Sequence, residues 1–336
     1  EEEIADELMK NFISNSYFNL IFKNVDALIE KGFTYETSDG IYFDTAKLDT
    51  YADFAKLDLK NLKAGARVEF NSEKRNPSDF AVWKFIKPGE DHAMRWDYLD
   101  RPGYPGWHLE CSAVIHQELG EPIDIHTGGI DHIPVHHTNE IAQTLAAYGE
   151  KLSNYWLHCD FITINGEKIS KSLGNIYTLS DLSDKGFSAM DYKMWVLQGH
   201  YQSERNFTFE DLMAVKNRRL NWRNKIALCY QEKTKDSANI LEALNDNLNS
   251  PKAFAMIDGL EKPSMSFWRE VDEVFGLNLI KDSPDITKEQ KELLKEREAA
   301  RKERDYTKSD ELRDILEAQG ITVKDSNTGT TWQYLS

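Results

Sequence analysis

The chain has 336 residues with 41 Lys+Arg against 57 Asp+Glu, a formal net charge of −16, and it is 40% hydrophobic and 29% charged. That is about two ordinary domains, a balance that excludes a disordered tail or a collagen-like chain, and the acid excess argues against nucleic acid, because phosphate binding needs Lys and Arg. No apolar run approaches the about 18 residues of a membrane span, and the acidic start EEEIADELMK has neither the basic n-region nor the apolar h-region of a signal peptide.

In chain order, Ile4, Leu8, Phe12, Phe18, Ile21, Phe22, Val25, Leu28 and Ile29 recur at helical spacing, which predicts a helix over roughly 1–31 stopped by Gly32. From 33 to 85 the runs GIYFD (40–44) and ARVEF (66–70) alternate apolar and polar between Gly and Asn-Pro punctuation, a small β-rich module. The Pro/Gly-studded residues 86–106 read as loop. Next come a helix over CSAVIHQEL (111–119), a strand IDIH (123–126), a turn at Thr127-Gly128-Gly129, a helix from about Pro134 and a strand WLHCDFITI (156–164). Alternation of this kind predicts part of a doubly wound parallel sheet. After Leu179 the pattern is helical to Gly320, and the end reads as strand, Gly turn and strand. Three cysteines, Cys111, Cys159 and Cys229, make no disulfide framework in a chain this long, so a reducing, cytoplasmic setting is expected.

Three stretches carry chemistry. In Glu167-Lys168-Ile169-Ser170-Lys171-Ser172-Leu173-Gly174-Asn175, two lysines and two serines on one loop offer cations and hydroxyl donors suited to a polyphosphate; a solvated Lys/Ser turn is the plainer alternative. His136 and Glu140 are four apart and share a helix face, and Cys111 begins another helix. Cys, His and carboxylate are all zinc ligands, with His132 and His137 as rivals and separate structural roles as the alternative. The sequence around His136-His137 is not H-E-x-x-H. Trp107, just ahead of Cys111, either walls a small pocket or packs in a core.

Together these stretches resemble cysteinyl-tRNA synthetases, a family of class I aminoacyl-tRNA synthetases. KISKSLGN resembles the class I KMSKS signature, and PGWHLECSA and HHTNEIAQ resemble the family's zinc-site segments. KRNPSDFAVWK (74–84), GHYQSERNFT (199–208), NSPKAF (249–254) and the finish 310–332 extend the likeness over most of the chain. The resemblance implies an α/β, Rossmann-like catalytic domain (second half) with a connective insertion, then a helical bundle and a small α+β anticodon-binding domain. The implied plan is 1–32 as the helical end of the first catalytic half and 33–95 as the connective module. It continues with 96–178 as the second catalytic half, 179–285 as the stem-contact region and bundle, and 286–336 as the anticodon-binding domain.

By the same resemblance, Cys111, His136 and Glu140 hold one Zn²⁺, and Trp107 and His126 line the cysteine pocket. Gly128, Gly129 and Asp131 approach the adenylate, and Lys168, Ser170, Lys171 and Ser172 serve the ATP phosphates, with Mg²⁺. A soft metal that binds a thiolate far better than a hydroxyl would tell cysteine from serine where shape alone gives about 10²-fold discrimination. The implied partners are tRNA(Cys), cysteine and ATP, with no membrane, and the chain is expected to be a monomer.

Lys216, Arg218, Arg219, Arg223 and Lys225 are five cations in ten residues with no acid among them, and on a helix Lys216, Arg219 and Arg223 share a face. They are expected to contact tRNA phosphates, with a solvated helix face as the alternative, and by resemblance Trp332 lies in the anticodon-binding cap, with a core role as the alternative. The family's HIGH tetrad and the N-terminal cysteine that is its fourth zinc ligand have no counterpart in this sequence. The expectation is therefore a chain that begins near the end of the first catalytic half. The competing readings are a non-catalytic tRNA-binding paralogue, a cysteine:amino-sugar ligase of the mycothiol type, which by resemblance would lack the anticodon-binding end, and a zinc hydrolase.

Overall fold

The computed structural model describes residues 15–59, 71–92, 94–326 and 329–335, without the side chains of residues 15–19, Lys171 and Ser326. The expected helix over 1–14 and the ARVEF segment lie outside the described residues. The rest falls into two compact units divided between Cys159 and Asp160.

The first unit opens with helix α1 (Asn15–Glu30), which buries Ile21, Asn24, Val25 and Leu28 at three- and four-residue spacing. It packs on a five-stranded antiparallel sheet of β1 (Thr34–Thr37), β2 (Gly40–Phe43), β3 (Phe80–Phe85), β4 (Trp96–Tyr98) and β5 (Arg101–Pro105), in the order β1-β2-β3-β5-β4. The last two strands correct the reading of 86–106 as loop. Gly103 and Gly106 are there for close strand approach: an added Cβ would lie 2.4 Å from Lys84 O at Gly103 and 2.0 Å from Ala81 O at Gly106. Helix α2 (Trp107–Val114) begins four residues earlier than expected and continues as one wider turn to Leu119.

Strand β6 (Ile123–Gly129) runs parallel to β7 (Ser153–Cys159), and helix α3 (Thr138–Tyr148) joins them, ending at left-handed Gly149. This is the predicted βαβ element, with two corrections. Gly128 and Gly129 belong to the strand, opposite His158 and Cys159, and the expected strand 156–164 ends at Cys159.

The second unit starts with β8 (Ile162–Ile164), hairpinned to β9 (Glu167–Lys168) and parallel to β10 (Arg205–Phe207). Its Asn165-Gly166 turn has φ of 52° and 78°, a two-residue turn with positive φ at both central positions, which Asn-Gly favours. Between β9 and β10 lie α4 (Leu179–Asp184) and α5 (Ala189–Leu197), both opened by capping boxes, at Thr178 and Ser188. The long α6 (Phe209–Leu228), followed by the short α7 (Ile240–Leu244), packs Leu212, Val215, Trp222 and Ile226 against α8 (Ser250–Asp258) and α9 (Met265–Phe275), in a core that holds Trp195, Phe254 and Trp268. Helices α10 (Lys288–Lys302) and α11 (Tyr306–Ala318) lead to the antiparallel pair β11 (Ile321–Ser326) and β12 (Gly329–Tyr334), the strand–turn–strand expected from the sequence. No helix among the described residues is long and apolar enough to cross a membrane.

Candidate functional site

In the first unit, α2 supplies Cys111, the turn leading into α3 supplies His136, and the first turn of α3 supplies Glu140. The ligand atoms of the three lie within 4.8 Å of one another. Glu140 is fully buried, and its Oε1 sits 3.0 Å from His136 Nε2 yet receives no hydrogen bond. A carboxylate oxygen buried without a hydrogen bond and an imidazole nitrogen, both beside a thiol, are the donor set of a thiophilic divalent ion. The residues present therefore fit zinc.

The surroundings explain the electrostatics. Burial, reinforced by Glu140, pushes the Cys111 thiol up to about 12. A bound cation reverses that by stabilising the thiolate. Burial also opposes charge on Glu140, but the hydrogen bond from His126 (Nε2 to Oε2, 2.9 Å) and the nearby His136 outweigh it and hold the carboxyl at about 2. His108, which the sequence reading passed over, faces His136 with 2.8 Å between the two Nδ1 atoms. Burial, then His136, holds it near 3, so it stays neutral and can accept the ring proton that leaves His136 Nε2 bare.

A second grouping, His126, His137 and Glu140, shares the same carboxylate. Here His126 already bonds Glu140, and His137 Nδ1 lies 2.7 Å from His158 Nε2. These side chains support the first set. His132 packs at the rim, its ring 5.1 Å from that of His136.

Trp107 is 55% exposed and stacks on His136 at 4.3 Å, so it sits at the surface against a candidate ligand and the core-packing alternative does not hold. His126 is half-buried between Glu140 and Trp156. Gly128 has a packing reason: an added Cβ would lie 2.6 Å from the His137 ring and 2.7 Å from His132 Nδ1. At Gly129 it would lie 2.5 Å from Asp131 Oδ1.

In the second unit, the loop after β9 is clasped by Asn175, to which the sequence reading gave no role of its own. Its Oδ1 accepts from Ser170 N at 2.8 Å and its Nδ2 donates to Lys168 O at 3.0 Å. Ser170 and Ser172 share a hydroxyl contact of 2.7 Å, and Gly174 takes φ 63°. Lys168 is exposed; the Lys171 side chain lies outside the described residues.

The cationic run on α6 is placed differently from the expectation. Arg219 is 7% exposed, paired with Asp282 and 3.7 Å from Asp191. Arg223 donates to Asp282 O at 2.6 Å and lies over the Tyr334 ring, and Lys216 donates to Gly186 O at 3.0 Å. Arg218 pairs with Asp258, and Lys225 donates to Asp258 O and Leu260 O. The run therefore ties α6 to its neighbours, and a buried, paired Arg219 is not a free phosphate contact. Trp332 is buried beside Tyr230 and Tyr334, in the core of the cap.

Residues 9–217 match the family described as tRNA synthetases class I (C) catalytic domain, and residues 283–332 match the cysteinyl-tRNA ligase anticodon binding domain. A cysteine--tRNA ligase of Treponema denticola is 36% identical over 96% of this chain and 75% of its own length. One from Methanococcus maripaludis is 35% identical over 100% and 82%, and cysteine--tRNA ligase 1 of Burkholderia lata is 38% identical over 91% and 67%. Among solved structures, a Mycobacterium tuberculosis methionyl-tRNA synthetase in complex with methionyl-adenylate shares the fold, with a TM-score of 0.51 and 12% identity over 78% of this chain and 66% of that one. Two family domains in sequence and relatives of this identity over nearly the whole chain lead to one conclusion: the chain belongs to the cysteine--tRNA ligase family of class I aminoacyl-tRNA synthetases.

Proposed function

We propose that this enzyme activates cysteine with ATP and transfers it to tRNA(Cys), and that Cys111, His136 and Glu140 hold a zinc ion in the amino-acid pocket. The convergence of those three side chains, with Glu140 Oε1 unbonded, carries the reading. Bound zinc would supply a soft Lewis acid that favours a thiolate over a hydroxyl. The protein's part is to present the ligands: His108 keeps His136 in one tautomer, and His126 fixes the Glu140 carboxylate. Trp107, stacked on His136, would cover one face of the bound amino acid.

In the activation step the cysteine carboxylate attacks the α-phosphorus of ATP and pyrophosphate leaves. Lys168 and Lys171, with the Ser170 and Ser172 hydroxyls, would stabilise the charge that accumulates on the departing oxygens. The adenosine hydroxyl at the tRNA terminus then attacks the carbonyl, and AMP leaves. Neither step needs a protein nucleophile; positioning and electrostatics suffice. Gly128, Gly129 and Asp131 at the end of β6 would face the adenylate. Of the proposed tRNA contacts, Lys216 and Arg223 retain a role through their positive field, whereas Arg219 serves the fold; Trp332 supports the cap. We also propose a cytoplasmic monomer.

An amino-sugar ligase would lack the anticodon-binding end that residues 283–332 match. The test is cysteine-dependent ATP–pyrophosphate exchange. Lys171→Ala should slow it by about two orders of magnitude or more without unfolding the protein, and Glu140→Gln should abolish preference for cysteine over serine. Exchange unchanged in Lys171→Ala, or Glu140→Gln with intact preference, contradicts the assignment.

A further inference from the structure

We infer that the Tyr51–Phe54 turn and Phe80, all from the β-rich module, form a buttress that positions the metal-binding side chains. The inference rests on the zinc reading of Cys111, His136 and Glu140. Three separate lines of contact lead from this small region to the two ligands around α3.

The first runs through the main chain. Tyr51 is buried, and its hydroxyl donates to Asn139 Oδ1 at 2.6 Å. Asn139 is itself 2% exposed and immediately precedes Glu140 in the first turn of α3. The second runs through rings. Phe54 packs on Trp156 at 4.7 Å, Trp156 meets His126 edge-on at 4.8 Å, and His126 bonds Glu140 Oε2. The third reaches the other ligand. Tyr51 packs over Phe80, Phe80 meets His108 edge-on at 5.5 Å, and His108 holds His136 through its Nδ1. One turn thus restrains the backbone beside Glu140, the carboxylate oxygen pointing away from His136, and the orientation of the His136 ring.

Ligands held this way need no reorganisation to meet the ion, and losing such a support weakens metal binding by about 10- to 100-fold. The bland alternative is that Tyr51 and Phe54 merely fill a core. The same module contains the control: the Tyr35 hydroxyl donates to Asp79 Oδ2 at 2.7 Å, equally buried; Asp79 precedes Phe80, but Thr45 and Asn76 also hold its carboxylate, so this bond alone does not set the Phe80 ring.

The experiment measures zinc affinity of the full-length protein by competition with a chromogenic chelator, alongside thermal unfolding and the KM values of pyrophosphate exchange. Tyr51→Phe and Phe54→Leu should each weaken zinc binding by about tenfold and raise KM for cysteine with KM for ATP unchanged, whereas Tyr35→Phe should lower Tm yet bind zinc as wild type does. Should Tyr51→Phe fail to fold, the half-exposed Phe54 position carries the comparison. Affinity of both variants within about twofold of wild type, or an equal loss in Tyr35→Phe, overturns the buttress. A wild-type protein that binds no zinc overturns the metal reading and this inference together; wild-type binding with unaltered variants overturns the inference alone.

Discussion

Arg219→Met separates an internal ion pair from an RNA contact, because methionine keeps the apolar stem and removes only the charged fork. The guanidinium loses its bond to Asp282, a long 3.4 Å bond to Leu277 O and its 3.7 Å approach to Asp191. Asp191 stays anchored, since the N and Oγ of Ser188 both donate to its Oδ2 at 2.8 Å, and only its Oδ1 loses the distant cation. The Asp282 side chain is 38% exposed and can turn to water. The full penalty of about 3–5 kcal/mol for orphaning a buried charge therefore does not apply. What remains is dominated by the hydrogen bond between charged groups, about 1.5–3 kcal/mol, the long bond to Leu277 O adding little. At about 2–4 °C per kcal/mol for a unit of this size, Tm should fall by about 3–12 °C. Calorimetry reads that shift, and a titration of tRNA affinity against salt should keep the wild-type slope. A wild-type Tm with a salt slope reduced by about one would refute the reasoning and make Arg219 a phosphate ligand.

Asn175→Ala removes both clasp bonds of the lysine–serine loop at a surface position, so Tm should hold while kcat/KM for ATP in pyrophosphate exchange falls by about tenfold, two hydrogen bonds' worth; equal kinetics would mean that the clasp does not shape the loop. Asp325 is held at about 2 instead of the usual 3.8, first by the two bonds from Arg297. A lowered carboxyl contributes stability above its unfolded value and loses it as pH falls toward the folded one. Asp325→Asn should therefore lower Tm at pH 5–7, with the gap to wild type closing between pH 4 and about 2; a gap that is constant across that range would contradict the assignment. Gly128→Ala should impair zinc binding and cysteine activation together, because its Cβ would collide with the His132 and His137 rings; a variant with normal zinc content and exchange would show that the rings move aside freely.

What the sequence made legible, it did through local rules. Helical spacing put His136 and Glu140 on one face, and alternation revealed the β6–α3–β7 unit. Cys111 joined them only through resemblance, since no spacing rule relates α2 to α3. Glycine and proline between 86 and 106 misled, because Gly103 and Gly106 permit close strand approach, a tertiary property. Asn165-Gly166 was readable as a hairpin turn and was passed over.

The cationic run on α6 shows the limit most clearly. Its own ten residues contain no acid, but Asp191, Asp258 and Asp282 reach it from far along the chain. The same holds for His108, His158 and Tyr51, whose roles depend on which rings the fold brings beside Glu140. Whole-chain charge was no better a guide. The first 50 residues hold 4 basic and 11 acidic side chains, a net of −7 out of −16, in a different unit from α6.

The most direct test of the zinc pocket uses Co²⁺ in place of zinc in the full-length protein, because its absorption reports each thiolate bound to the metal. The account predicts a thiolate-to-cobalt band in the wild type that disappears in Cys111→Ser, and that grows when cysteine is added but not when serine is added. A spectrum indifferent to Cys111, or to added cysteine, would contradict it.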